Sequence, residues 1–372
     1  MNQDTKYYIG FSQVPGVGRV KINVLEKYFS NIESAWNAPS HELKLAGLDD
    51  TVIQSIVSAR KEISLDEELE KLNKSGVQAF SYKEDGYPLK LKEVYDYPAV
   101  IYVKGTFMPE DEYGISVVGA RKATPYGRQV TEEITTDLAR AGITVISGLA
   151  RGIDTIAHKS ALAAGGRTIA VFGCGPDIVY PPENTELAKR IGENGVIVSE
   201  YPLGTRPRPE YFPRRNRIMS GMSLGVLVVE AGESSGAMIT ANMALEHNRE
   251  VFAVPGSIFS PVSKGTNRLI QEGAKLVTGY RDICEELNIS VAAHQMEMKE
   301  MVPASDTEEW LLKQLGREPV HIDEICRLSG LPVSTVSSTL AMMELKGMVK
   351  QVSVMNYSLT REVREEYRVK TN

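Results

Sequence analysis

Residues 115–148 read ISVVGARKATPYGRQVTEEITTDLARAGITVISG. An apolar, β-rich run, Ile115–Val118, ends in the glycine turn Gly119-Ala120-Arg121. Apolar residues then recur at helical spacing over Tyr126–Ala141, and a second apolar run, Ile143–Ser147, ends in Gly148. Strand, glycine, helix, strand, glycine is the unit of a parallel sheet, because two parallel neighbours need a long crossover, usually a helix. The strands are apolar throughout rather than alternating, so both faces of the sheet are expected to be covered.

The unit repeats in both directions. Further strands are expected at Thr168–Phe172, Val196–Ser199, Gly225–Val229, Glu250–Val254 and Lys275–Val277, and helices at Ile153–Ala164, Glu183–Glu193, Ala237–His247 and Asn267–Gly273. Val77–Tyr82 and Ala99–Val103 read as two earlier strands. Right-handed crossovers turn this pattern into an extended Rossmann-like, doubly wound α/β domain over 76–287. Ligands of such folds sit beyond the carboxyl ends of the strands.

The flanks read differently. Residues 1–75 look all-helical, with Pro15-Gly16-Val17-Gly18 matching the turn of a helix-hairpin-helix and Leu45-Ala-Gly-Leu48 a weaker copy. Residues 288–306 have no strong pattern and read as a linker. Residues 307–372 suggest three short helices and a hairpin over Met348–Leu359, a winged-helix domain whose third helix is nearly uncharged. Duplex affinity needs cations, so a protein-contact or spacer role suits that tail at least as well as DNA reading.

Composition sets the outer limits. The chain has 372 residues, which suggests about two or three domains. A net charge of −6 excludes a generally basic nucleic-acid binder, though not a local basic groove. No apolar run approaches the roughly 20 residues of a membrane helix. The first residues lack the basic-then-apolar order of a secretory leader. Three scattered cysteines without a CxxC fit a reducing, cytoplasmic setting better than a disulfide framework or a zinc knuckle.

Chemistry-bearing residues gather at the expected strand ends. Gly119-Ala120-Arg121 places a cation beside a helix start, a suitable cradle for phosphate. Gly148 to Gly152, Gly173-Cys174-Gly175 and Gly232 to Gly236 add further glycine turns, the last with Ser235 and Gly236 opening a helix. The densest feature is Thr205–Arg217, with five arginines, one acid and the aromatics Tyr211 and Phe212. Arginines track a phosphate backbone while aromatic faces stack on unpaired bases. There is no P-loop, no full GxGxxG and no HExxH. Gly232-Glu-Ser234-Ser-Gly236 fits GxSxG, with Asp282 and His294 following in hydrolase order, but Ala231-Gly232-Glu233 intervene after the strand where a nucleophile elbow needs a very tight turn. No metal set, cofactor motif or activated nucleophile is visible, so a binder is expected rather than an enzyme.

Val118-Gly119-Ala120-Arg121, Ser147-Gly148-Leu-Ala-Arg-Gly152-Ile-Asp154, Tyr180-Pro181, Phe212-Pro-Arg-Arg-Asn216-Arg217, Val254-Pro255-Gly256 and Gly265-Thr-Asn267 together resemble the DprA/Smf DNA-processing family over about 85–280. The resemblance implies a sterile-alpha-motif-like front, an extended Rossmann centre and a winged-helix tail. It also implies a non-catalytic, dimeric protein that binds and protects single-stranded DNA and loads the RecA recombinase during natural transformation. Carried over by motif, Gly119, Arg121, Arg167, Phe212, Arg214, Arg215, Asn216, Arg217, Ser235 and Gly236 would hold the strand. Leu269, Ile270 and Leu276 would lie at the dimer contact, although they read equally well as core. Family members often have serine where Ala120 stands. The rival reading is a nucleotide-binding enzyme resembling lysine-decarboxylase-like phosphoribohydrolases. Its Pro-Gly-Gly-x-Gly-Thr signature is missing here, and Val254-Pro255-Gly256-Ser257 is the nearest approach.

Overall fold

The computed structural model describes residues 4–289, 306–315, 320–345, 349–353 and 355–359. The expected linker lies outside the described residues from 290 to 305, as do Gly347 and His294. The chain forms two compact units, 1–294 and 295–372.

The first unit opens with six helices, α1 (Thr5–Ser12), α2 (Arg19–Tyr28), α3 (Ile32–Asn37), α4 (Ser40–Leu45), α5 (Asp50–Glu62) and α6 (Leu65–Lys74). The turn between α1 and α2 passes through Gly16 at φ +81°, a left-handed conformation that glycine adopts without steric cost. Two strands follow, β1 (Gln78–Ser81) and β2 (Val100–Gly105). Phe11, Leu25, Trp36 and Ile56 of the helices share one core with Val77 and with Ala79, Val100 and Tyr102 of those strands. Arg19 at the start of α2 lies between the rings of Tyr82 and Tyr97, 3.9 and 4.3 Å from their centroids, and pairs with Glu26. Lys21 pairs with Asp49 at 2.9 Å. Both cations beside the hairpin are therefore engaged within the protein.

The central strands are β3 (Gly114–Val118), β4 (Thr144–Ser147), β5 (Thr168–Phe172), β6 (Val196–Ser199), β7 (Gly225–Val228), β8 (Glu250–Ala253) and β9 (Lys275–Leu276). The sheet order is β1-β2-β6-β5-β4-β3-β7-β8-β9. From β6 to β9 every pairing is parallel, and β2 joins β6 antiparallel. The chain winds outward from β3 through β4, β5 and β6, then returns to place β7 on the other side of β3, in register from Ile115 opposite Gly225 to Val118 opposite Val228. That reversal opens a crevice at the strand ends.

Eight more helices complete this unit: α7 (Leu89–Lys92), α8 (Pro125–Arg140), α9 (Ile153–Ala163), α10 (Thr185–Asn194), α11 (Tyr211–Met222), α12 (Gly236–Glu246), α13 (Lys264–Gln271) and α14 (Tyr280–Glu286). Alternate strand residues face opposite layers. Val118, Ile146 and Val171 pack with Leu91 of α7, Met219 of α11 and Ala241 of α12. Ile115, Val117 and Val145 pack with Ile134 of α8, Ala157 of α9 and Ile283 of α14. Each fully buried Val, Ile or Leu stabilises the fold by roughly 1.5–3 kcal/mol.

Strands and crossover helices fall within a few residues of expectation, with α13 starting three residues earlier. Helix α11 is the exception. Its sequence, YFPRRNRIMSGM, reads as a basic stretch around a proline. Pro213 is the third residue of the helix, where a missing N–H has no carbonyl to serve, so the helix forms around it. Of Leu269, Ile270 and Leu276, read equally as core or as a dimer contact, Leu269 takes the core reading. It is 2% exposed and belongs to the core under β8, with Ile270 packed partly against the same cluster, while Leu276 is 42% exposed.

The second unit contains α15 (Asp306–Gln314), β10 (Val320–His321), α16 (Ile322–Ser329), α17 (Val333–Leu345), β11 (Val349–Ser353) and β12 (Asn356–Leu359), with sheet order β10-β12-β11. Leu311, Ile325, Val336, Leu340 and Met343 form its core. This is a winged helix. The exposed positions of α17 include Ser334, Thr335, Ser337, Ser338 and Met342, with no cation among its described residues.

Candidate nucleic-acid interface

A cleft of about 320 Å³ opens where the strand order reverses. Val118, Gly119 and Arg121 line it from the end of β3, Ala150 from beyond β4, Asp154 from the first turn of α9, Tyr180 from beyond β5, Phe212 and Asn216 from α11, and Gly236 and Thr240 from α12.

Arg121 projects from the turn between β3 and α8. It is exposed and has no ion-pair partner among the described residues. The turn itself is braced. The Thr124 hydroxyl accepts from the Gly127 N–H at 3.1 Å and caps α8. The same hydroxyl donates to Glu230, whose second oxygen accepts from the Thr124 N–H at 3.0 Å. Glu230 is 2% exposed and follows β7. Nothing in the sequence singles out this buried carboxylate, because an acid after a strand usually faces water. Gly152, at φ +78°, lets the chain pass so close to Ala120 that a Cβ would stand 2.2 Å from the Ala120 carbonyl oxygen.

The floor is built from buried charge. Arg215 is only 4% exposed. Its Nη1 donates to the Gly148 carbonyl at 2.6 Å and to the Val171 carbonyl, and its Nε donates to Asn216 Oδ1 at 3.2 Å. A Cβ at position 148 would fall 2.1 Å from that guanidinium, so only glycine fits there. Asp154 accepts from the Gly148 and Ala150 N–H groups at 3.2 and 3.4 Å. Burial pushes its carboxyl up to about 6, and the Arg215 charge pulls the other way. Burial and the same guanidinium depress the neighbouring His158 to about 3. Asn216 Nδ2 donates to the Gly236 carbonyl at 3.4 Å and ties α11 to the start of α12.

One wall is aromatic. The Phe212 ring lies 5.4 Å from that of Tyr180, tilted by 36°. At α12 the Ser235 hydroxyl is enclosed without a hydrogen-bond partner among the described residues, and Gly236 is exposed. Ser234, the serine of the hydrolase-like motif, is exposed, while Asp282 accepts from Thr278 and Gly279 to cap α14.

The structure therefore brings together Gly119, Arg121, Phe212, Arg215, Asn216 and Gly236 at one cleft, with Arg214 exposed on the same helix as Phe212. Three arginines depart from expectation. Arg167 precedes β5 and so stands at the amino end of the parallel strands, the edge opposite the cleft. There its Nε and Nη2 grip the two oxygens of Asp111 at 3.0 and 2.9 Å. Arg217 pairs with Glu200 and reaches the Asp96 carbonyl, leaving its side chain 15% exposed. Arg215 is spent on backbone carbonyls inside the fold. Arg215 and Arg217 position the elements around the cleft, Arg167 braces the opposite edge, and the charges of Arg167 and Arg217 are met by carboxylates. Arg121, Lys122, Arg206, Arg208 and Arg214 are each exposed, with none within ion-pair distance of a carboxylate among the described residues.

Comparison with known proteins follows the same lines. Residues 78–288 match the family model described as DNA recombination-mediator protein A, and residues 299–353 match the DprA winged helix domain. Protein Smf of Synechocystis is 33% identical, over 96% of this chain and 99% of that protein. DNA processing protein DprA of Bacillus subtilis is 45% identical over 57% of this chain and 72% of its own length. The structure of DprA from Streptococcus pneumoniae superposes with a TM-score of 0.67 at 36% identity, covering 76% of this chain and 98% of that one. A Helicobacter pylori DNA processing protein A structure, concerned with its single-stranded DNA binding mode, gives 0.51 at 30% identity over 57% of this chain and 96% of that one. A matched sheet domain, a matched winged helix and a relative similar over nearly the whole length place this chain in the DprA/Smf family of DNA-processing proteins.

Proposed function

We propose that the cleft holds single-stranded DNA without cutting it. The observation that carries this reading is Arg121, exposed and unpaired on a braced turn, facing an aromatic wall across a cleft at the topological switch point. Arg121 takes a phosphate, aided by Lys122 and by the N–H groups that open α12. Phe212 and Tyr180 offer ring faces to a base that has left its duplex. Arg206, Arg208 and Arg214 extend the positive rim along the approach to α11. Contacts of this kind position a backbone and do not read base edges, so binding is weakly sequence-selective. A duplex keeps its bases stacked internally and forfeits roughly 1–3 kcal/mol per lost aromatic stack.

The same reading gives this chain a mediator's role in the cytoplasm. It protects an incoming strand, pairs with a second copy through the surface around Leu276, and hands the strand to RecA. The cleft's carboxylate, Asp154, is tied to two N–H groups, which suits support of a loop and not proton transfer.

The test is a salt titration. Arg121→Ala is expected to weaken binding of oligo(dT) and to lower the log–log salt slope by about one, the counterion of one phosphate contact. An unchanged slope sinks the assignment. Release of free base from a nucleoside monophosphate by the purified protein would move the reading to the nucleotide-processing enzyme.

A further inference from the structure

The loop that follows β8 lies on the same sheet edge as the cleft and has no assigned task. It carries Ile258 at 75% exposure and Phe259 at 88%, the most exposed large apolar side chain among the described residues. The loop is nevertheless held firmly. Asn267 of α13 accepts from the Gly256 N–H at 3.1 Å and donates to the Gly256 carbonyl at 3.0 Å. The Val262 carbonyl accepts from Ala231 at 2.7 Å, in the loop that leads to the start of α12. Tyr126 of α8 donates to the Pro255 carbonyl at 2.8 Å. Helix α8, which follows the Arg121 turn, and the loop leading to α12 thus both brace the loop that presents Phe259. Because β3, β7 and β8 are successive neighbours, the loop starts roughly 10 Å from the Gly119 turn.

We propose that this loop is a second station for the same single strand, with Phe259 stacking a base and Lys264 taking the phosphate beside it. The inference rests on the reading of the cleft as a single-strand site and extends that site along the sheet edge. Lys264 opens α13, is exposed and has no carboxylate partner among the described residues. An exposed aromatic on a braced loop, five residues before an exposed cation, repeats the chemistry of the cleft. The apolar projection is narrow, two side chains flanked by Ser257 and Ser260, which fits one flat base. A stable protein partner needs on the order of 1,000 Å² or more of complementary surface.

The experiment uses the full chain and oligo(dT) of about 4 and about 16 nucleotides, the short and long ends of the single-strand site sizes of comparable binders. Phe259→Ala is expected to weaken the long oligonucleotide about 5- to 150-fold, the range of one lost base stack, and to leave the short one unchanged. In Phe259→Trp the introduced indole should be quenched by the long oligonucleotide and not by the short. An unquenched indole at wild-type affinity overturns the proposal, as does unchanged long-strand affinity in Phe259→Ala. A fall in oligomeric state by light scattering, at constant affinity per chain, also overturns it and assigns the loop to a contact between copies. Arg121→Ala serves as the separate control: it should weaken both oligonucleotides, and if it weakens neither, the cleft reading itself fails.

Discussion

Arg214 and Arg215 are adjacent in the chain, and replacing each by alanine should have opposite consequences. Successive residues on a helix point about 100° apart, so α11 sends Arg214 to water and Arg215 beneath the sheet end. Arg214→Ala is expected to lower single-strand affinity and the salt slope by about one phosphate contact while leaving the urea midpoint in place. Arg215→Ala strands two buried carbonyls and the Asp154 carboxylate, and should cost roughly 3 kcal/mol or more of stability. Denaturant titration beside DNA titration separates the two. Below the cleft, two titrations oppose each other. Asp154 folds with its pKa raised to about 6, so the folded chain binds that proton more tightly and stability falls as pH rises from about 4 to 6. His158 folds with its pKa lowered to about 3, so stability falls as pH drops from about 6.5 toward 3. Asp154→Asn removes the first effect and leaves the second unopposed. The variant should lose about 2–3 kcal/mol more than the parent between pH 6.5 and pH 4. Equal acid sensitivity in the two proteins would mean that the aspartate carries no proton there.

Among the elements, the turn from β3 into α8 joins stability to binding. Thr124 is both the cap of α8 and the group through which Glu230 holds the Arg121 turn. Thr124→Ala should cost about 1 kcal/mol or somewhat more, the loss of a helix cap together with a less satisfied Glu230. It should weaken single-strand binding with the salt slope unchanged, because Arg121 keeps its charge and loses only its aim. A reduced slope would show that the turn no longer presents the arginine at all. The elements were legible to different degrees for physical reasons. Apolar strands bounded by glycine, such as Ile115–Val118 and Thr168–Phe172, state their identity locally. Helix α11 does not, since Pro213 and three arginines hide an apolar face made of Ile218, Met219 and Met222. Without that helix the arginines of 205–217 look equivalent, and their separate fates are invisible. Arg167 was readable in principle: a residue just ahead of a parallel strand belongs to the edge opposite a ligand site. The Glu230 brace depends on burial that only the assembled sheet creates.

At the scale of the molecule, an acidic chain sets exposed arginines around the cleft and uses others to join its elements. Arg19, sandwiched by Tyr82 and Tyr97, joins the front helices to the strand region as Arg217 joins α11 to Glu200. The front core is continuous with the edge strands, and the edge strands are continuous through β6 with the strands at the cleft. A ligand at the cleft should therefore stabilise helices that it does not touch. Trp36 lies in the front core at 5% exposure, and the other of the chain's two tryptophans, Trp310, is in the second unit. In a Trp310→Phe background, Trp36 emission should follow the same urea transition as the far-UV signal of the sheet. Saturating oligo(dT), at about 100 times its dissociation constant, should shift the Trp36 transition by about 2.7 kcal/mol, the mass-action limit for a ligand of the folded state. Arg121→Ala should shrink the shift at the same oligonucleotide concentration, to about 1.4 kcal/mol for a tenfold loss of affinity. A Trp36 transition that precedes the sheet's and ignores DNA would mean that the front unfolds on its own, and that the shared core does not couple it to the DNA edge.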